Sequence, residues 1–140
     1  MEQQTPKPQI EWAYLAGYFD GEGCVSMNSK LQVYVSITST DKIVLDYFAH
    51  VYGGRVREIY NKKSRRQLYQ WMRTGTSAKE VLYTLLPWLK VKRFVAELGL
   101  KVIIQQHGKL NLEERAKRQG LRTALLAYNQ RNELGRITEA

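Results

Sequence analysis

Apolar residues recur along this chain with two periods, and the order in which the periods alternate predicts most of the architecture. Ile10, Tyr14, Leu15, Tyr18 and Phe19 fall three and four apart, the spacing of one helix face. That stretch closes on Asp20-Gly21-Glu22-Gly23. Glycine and aspartate both disfavour a helix interior, so the helix is expected to stop near Asp20. Period two follows. Cys24 to Asn28 reads as a short strand, and Asn28-Ser29-Lys30 as a hairpin turn. Leu31 to Thr38 then alternates, with Leu31, Val33, Val35 and Ile37 inward and Gln32, Tyr34, Ser36 and Thr38 outward. Thr40 and Asp41 open a helix with the stripe Ile43, Val44, Tyr47, Phe48 and Val51, and Gly53-Gly54 ends it.

The same sequence of periods then repeats. Arg55 to Asn61 alternates, Lys62-Lys63-Ser64-Arg65-Arg66 is a basic turn, and Gln67 to Arg73 returns as a strand with Tyr69 and Trp71 as core candidates. Beyond Gly75, a helix carries Val81, Leu82, Leu85 and Leu86 and stops before Pro87. Leu89 to Gln106 reads as a further amphipathic helix, broken at Gly108. Asn111 caps a last helix through Leu112, Leu121, Leu125 and Tyr128. The order αββαββα predicts an α+β fold: an antiparallel sheet with helices on one face, followed by C-terminal helices. One domain is expected over 1–140, with an N-terminal extension at 1–9 and a helical extension from about 107 to 140.

The sheet face turned away from those helices carries unusual chemistry. Gln32, Tyr34, Ser36, Arg55, Arg57, Asn61 and Gln70 are expected there, beside the turn of Lys62, Lys63, Arg65 and Arg66. Arginine can pair bidentately with guanine, and Gln or Asn with adenine, in a major groove that admits a two-stranded β-ribbon. The four basic turn residues suit phosphates rather than base edges. Taken singly, each position is an ordinary solvent-facing strand residue. The set is what suggests nucleic acid.

Charge sharpens this. The chain has 22 Lys plus Arg against 13 Asp plus Glu, a net of +9. Residues 1–22 run against that trend, with Lys7 opposed by Glu2, Glu11, Asp20 and Glu22. A basic chain whose acids gather at one motif suggests phosphate-backbone binding around a metal-dependent centre. The single cysteine, Cys24, excludes an internal disulfide framework, and His50 and His107 stand far apart, so no transition-metal cluster is indicated. No secretory signal or apolar run of membrane-spanning length is visible, so an intracellular setting is expected, cytoplasmic, nucleoid or organellar.

Asp20 and Glu22 sit at the C-terminal end of their helix, where the dipole disfavours carboxylates. A bound cation reverses that cost: hard divalent ions take carboxylate and carbonyl oxygens, and Gly21 could present a carbonyl. The fragment alone equally fits an ordinary helix stop with solvated acids. Ala13, Gly17 and Gly21 line one helix face with small residues, which permits close approach of another backbone or local packing. Together, Leu15-Ala16-Gly17-Tyr18-Phe19-Asp20-Gly21-Glu22-Gly23 closely resembles the signature of the LAGLIDADG homing endonucleases. The element order resembles that family's core over roughly residues 10 to 106. Pro87-Trp88-Leu89-Lys90-Val91-Lys92 resembles its Pro-x-Leu-x-x-Lys segment.

The resemblance implies that Glu22 is the metal carboxylate, that Gly21 lends a carbonyl, and that Asp20 mainly supports the helix end. Lys92 takes the place of the active-site lysine. Ser39 stands where many relatives carry a glutamine that positions water. With one signature per chain, the resemblance implies a homodimer packed through Ala13, Gly17 and Gly21. The expected function is a Mg2+-dependent (or Mn2+-dependent), sequence-specific double-strand DNA endonuclease that acts at a long, near-palindromic site and leaves 3′ overhangs. Two alternatives use the same fold: an intron maturase that binds RNA, for which the basic residues Arg115, Lys117, Arg118 and Arg122 are suited (they equally suit flanking DNA phosphates), and a non-cleaving DNA-binding protein. Cleavage with Mg2+ separates the first reading from both.

Overall fold

The computed structural model describes residues 9–104 and 110–138. Residues 1–8, the expected break at Gly108 and His107 lie outside the described residues. The elements are α1 (Trp12–Glu22), β1 (Gly23–Met27), β2 (Val33–Ser39), α2 (Lys42–Tyr52), β3 (Val56–Asn61), β4 (Arg66–Thr74), α3 (Gly75–Leu85), a short 3-10 turn (Leu86–Trp88), α4 (Arg93–Ile104) and α5 (Leu112–Thr138). The αββαββα order holds. The four strands form one antiparallel sheet in the order β1-β2-β4-β3.

Strand alternation sets which face meets the helices. Val25, Met27, Val33, Val35, Ile37 and Trp71 are buried, and they pack with Leu15, Ala16 and Phe19 of α1, Phe48 of α2, Leu82 and Leu85 of α3 and Ala96 of α4. The inward set expected for β2 is buried except Leu31, which lies in the turn with a φ of 64° and only partly packs on the core. That turn is closed by Asn28, whose Oδ1 accepts from the backbone N–H groups of Lys30 and Gln32, both at 3.0 Å.

Two sequence expectations change. In α2 the buried side chains are Leu45, Phe48 and Tyr52, while Ile43 is 85% exposed. Both stripes contain Phe48 and both have helical spacing, so periodicity cannot separate them. The aromatic cluster does: Trp71 lies 5.2 Å from Phe48 and 6.0 Å from Tyr52, ring centre to ring centre, which fixes the rotation of α2. The second change is that α4 begins at Arg93 rather than Leu89. The residues between, Leu89 to Lys92, are held in a non-helical segment by contacts with α1 described below.

Helix α5 lies along β1, which among the described residues is an edge strand paired with β2. Asn111 caps it, accepting from the Glu114 N–H at 2.8 Å. Its polar side chains bond the carbonyls of β1 and the adjoining turn: Asn129 Nδ2 to Val25 at 3.3 Å, Arg122 Nε to Met27 at 3.2 Å, and Arg118 Nη1 to Leu31 at 3.4 Å. An exposed edge would otherwise offer unpaired backbone to another strand.

Candidate active site and nucleic-acid interface

Helix α1 continues two residues beyond the expected stop, so both acids belong to its last turn. Gly23 follows directly as the first residue of β1. A Cβ there would collide with the Phe19 ring, so the tight passage from helix to strand needs glycine.

The two acids then diverge. Asp20 is partly buried, and its carboxylate accepts from the backbone N–H groups of Lys90 (2.8 Å) and Lys92 (3.0 Å). The Lys92 ammonium donates in return to the Asp20 carbonyl at 2.6 Å, and Lys92 is only 8% exposed. This reciprocal clasp is why residues 89–92 are not helical: the N–H groups that a helix would leave bare are met by a carboxylate from another element. The cationic Lys92 also offsets the negative end of the α1 dipole, where the two acids stand. Glu22 is exposed, and among the described residues no side chain or backbone group bonds its carboxylate.

The oxygen donors here fit a hard divalent ion: a solvent-facing carboxylate on Glu22, with the exposed Gly21 backbone one residue before it at a helix C-terminus. Among the described residues no three His, Cys, Asp or Glu side chains cluster closely enough to hold a metal by themselves.

Ser39 closes β2. Its Oγ lies 2.6 Å from the Tyr18 hydroxyl and accepts the Asp41 N–H at 3.0 Å. The register pairs Gly23, the residue after Glu22, with Ile37, two residues before Ser39. Thr38 in turn pairs with Gln70, and Gln70 with Arg57. One row thus runs from Thr38 of β2 across β4 to Arg57 of β3.

That row belongs to the sheet face opposite the core. Tyr34, Ser36, Arg57, Asn61 and Gln70 share it by register, together with Leu68 and Met72. Ser36 is recessed, at 8% exposure. Gln32 and Arg55 stand one residue ahead of their strands, and Gln32 accepts a 3.4 Å bond from Asn28. Arg66 is a strand residue opposite Asn61, so it shares that face and does not belong to the turn. Lys62, Lys63 and Arg65 form the exposed hairpin tip, shaped by Asn61 Oδ1 accepting from the Lys63 N–H at 3.0 Å and by the Arg65 φ of 54°.

The small-residue face of α1 is open. Ala13, Gly17 and Gly21 are exposed, and a Cβ at Gly17 or Gly21 would meet nothing within 4 Å. At Gly17 and Gly21 the face leaves room for close approach of another backbone.

Sequence reasoning did not find Tyr18 as the partner of Ser39, nor the roles of Arg118, Arg122 and Asn129. The four-residue interval between the two arginines puts them on one helix face, but nothing in the sequence identifies the carbonyls they meet. Arg118 and Arg122, expected among the nucleic-acid contacts of a maturase, bond protein carbonyls instead.

An αββαββα unit with an acid at the tip of its first helix and an open polar sheet face defines the class. A family model described as a LAGLIDADG-like domain matches residues 9–86, and the chain belongs to that family. It is 34% identical over 108 residues to the DNA endonuclease I-CvuI of Chlorella vulgaris; the match spans 68% of this chain and 65% of that protein, just under two thirds of the relative's length. The crystal structure of the homing endonuclease I-CvuI in complex with the I-CreI target, with Mg present and the DNA not cleaved, superposes with a TM-score of 0.67 at 22% identity, covering 82% of this chain and 79% of that one. The meganuclease I-SmaMI bound to uncleavable DNA superposes with a TM-score of 0.60 at 16% identity, covering 86% of this chain and 48% of that one. At these identities the superpositions establish the fold.

Proposed function

We propose that the protein is a homodimeric, divalent-metal-dependent, sequence-specific double-strand DNA endonuclease. The observation that carries this reading is the division of labour at the tip of α1. Asp20 and Lys92 are locked to each other, and Glu22 is left exposed beside an open polar sheet face. The open face of Ala13, Gly17 and Gly21 supports a second copy packed against α1, which brings two Glu22 carboxylates together near the two-fold axis.

In this mechanism the polar sheet face reads bases in the major groove, with Arg57, Gln70 and Asn61 as the strongest readers and the basic tip on phosphates. Glu22 and the Gly21 carbonyl would hold Mg2+ or Mn2+, which would supply Lewis-acid stabilisation of phosphate charge. Lys92 adds a fixed positive charge whose position Asp20 sets. Two-fold symmetry implies a near-palindromic site, cut on both strands to leave 3′ overhangs.

The maturase reading draws on Arg115, Lys117, Arg118 and Arg122, of which Arg118 and Arg122 are engaged by β1, the adjoining turn and α4. The open sheet face, with Arg57, Asn61 and Gln70 on it, supports DNA as the substrate. The test is incubation of the purified protein with a library of DNA duplexes and Mg2+. Enrichment of one cleaved, near-palindromic sequence is expected. Selective binding of one duplex without cleavage would favour the non-cleaving reading, and failure to select any duplex would overturn the proposal.

A further inference from the structure

We propose that the Tyr18 hydroxyl, held by Ser39, positions the attacking water beside Glu22. This rests on the nuclease reading above and adds a residue to it. Tyr18 lies four residues before Glu22, so the two side chains share one face of α1, a turn apart. Its ring packs on Phe48 at 6.2 Å between centres, which fixes where the hydroxyl can reach. That hydroxyl meets Ser39 Oγ at 2.6 Å at the end of β2, two residues past Ile37, whose partner in the sheet is Gly23, the residue after Glu22.

The hydrogen-bond count points the same way. Ser39 Oγ already accepts the Asp41 N–H, and one of the two hydroxyl protons joins the pair. One O–H donor and lone-pair capacity on the tyrosine oxygen then remain. A water molecule needs that combination of donor and acceptor to be held in a single orientation. Serine is too short to supply it alone from Ser39; the tyrosine, reaching from α1, completes it.

The test is single-turnover cleavage of the selected duplex with Mg2+ by wild type, Tyr18→Phe, Ser39→Ala and the double variant. Melting temperature and DNA affinity are measured alongside. Tyr18→Phe should slow cleavage about 10- to 100-fold while affinity and melting temperature stay near wild type. The double variant should be no slower than Tyr18→Phe, because the two groups act as one unit. Adding Ser39→Gln to Tyr18→Phe should recover part of the rate, since the longer amide can hold the water unaided. Cleavage by Tyr18→Phe at the wild-type rate would overturn the proposal, as would a slowing that merely tracks lost stability. If wild type itself does not cleave, the nuclease reading fails and this inference fails with it. If wild type cleaves and Tyr18→Phe is unaffected, only this inference fails.

Discussion

The two sides of α1 serve different ends, and their contrast explains why the signature has the residues it has. On the inward side Leu15, Ala16 and Phe19 are fully buried in the chain's own core, and Asp20 bonds the segment before α4. On the outward side Ala13, Gly17 and Gly21 are exposed, and Glu22 faces solvent. A helix that only supported the sheet would gain from larger side chains on the exposed side. Glycine in an exposed helix costs roughly 0.5–1 kcal/mol relative to alanine. The proposed second copy packed on this face would give those small residues a reason.

This contrast can be broken by substitution. The largest effect on stability should come from the inward side. Phe19→Ala should lower unfolding free energy by about 3–5 kcal/mol, because a large ring leaves a closed core beside Gly23. Chemical denaturation measures it, and a loss below about 1 kcal/mol would show that the core does not depend on that face. Next comes Asp20→Ala, which strips two backbone N–H groups of a charged acceptor and should cost about 2–3 kcal/mol. The same measurement applies, and an unchanged midpoint would remove the clasp from the account.

Outward substitutions should behave oppositely. Gly17→Ala should raise helix stability by up to about 1 kcal/mol when the chain is diluted to a monomer. The same change should weaken the dimer, seen as an earlier shift to the monomer in sedimentation at falling concentration. Tighter association would mean that the exposed face is not the interface. A smaller, graded effect belongs to the basic hairpin tip. Replacing Lys62, Lys63 and Arg65 by alanine should reduce the slope of log affinity against log salt by about 0.9 for each phosphate that is no longer neutralised. An unchanged slope would place the phosphates elsewhere.

Much of this was legible in the sequence, though unevenly. Strand alternation identified the open face correctly at Tyr34, Ser36, Arg57, Asn61 and Gln70, because a period of two permits only two assignments. Helical periodicity was weaker: α2 has two stripes sharing Phe48, and only packing against Trp71 selects Leu45, Phe48 and Tyr52. The α4 boundary was missed because a carboxylate seventy residues away satisfies N–H groups that local rules would assign to a helix. The α5 bonds to β1, and the Tyr18–Ser39 pair, depend on distances that no spacing along the chain encodes. The two acids looked equivalent in sequence, and resemblance alone ranked them. Their geometry now separates a clasped carboxylate from an exposed one.

That separation is best tested by comparing Glu22→Gln with Asp20→Asn at equal concentration, following Mg2+-dependent cleavage of the selected duplex and the melting temperature together. The account predicts that Glu22→Gln abolishes cleavage, retains DNA binding and melts like wild type, whereas Asp20→Asn melts earlier and keeps measurable cleavage below its melting point. Undiminished cleavage by Glu22→Gln would contradict the central claim.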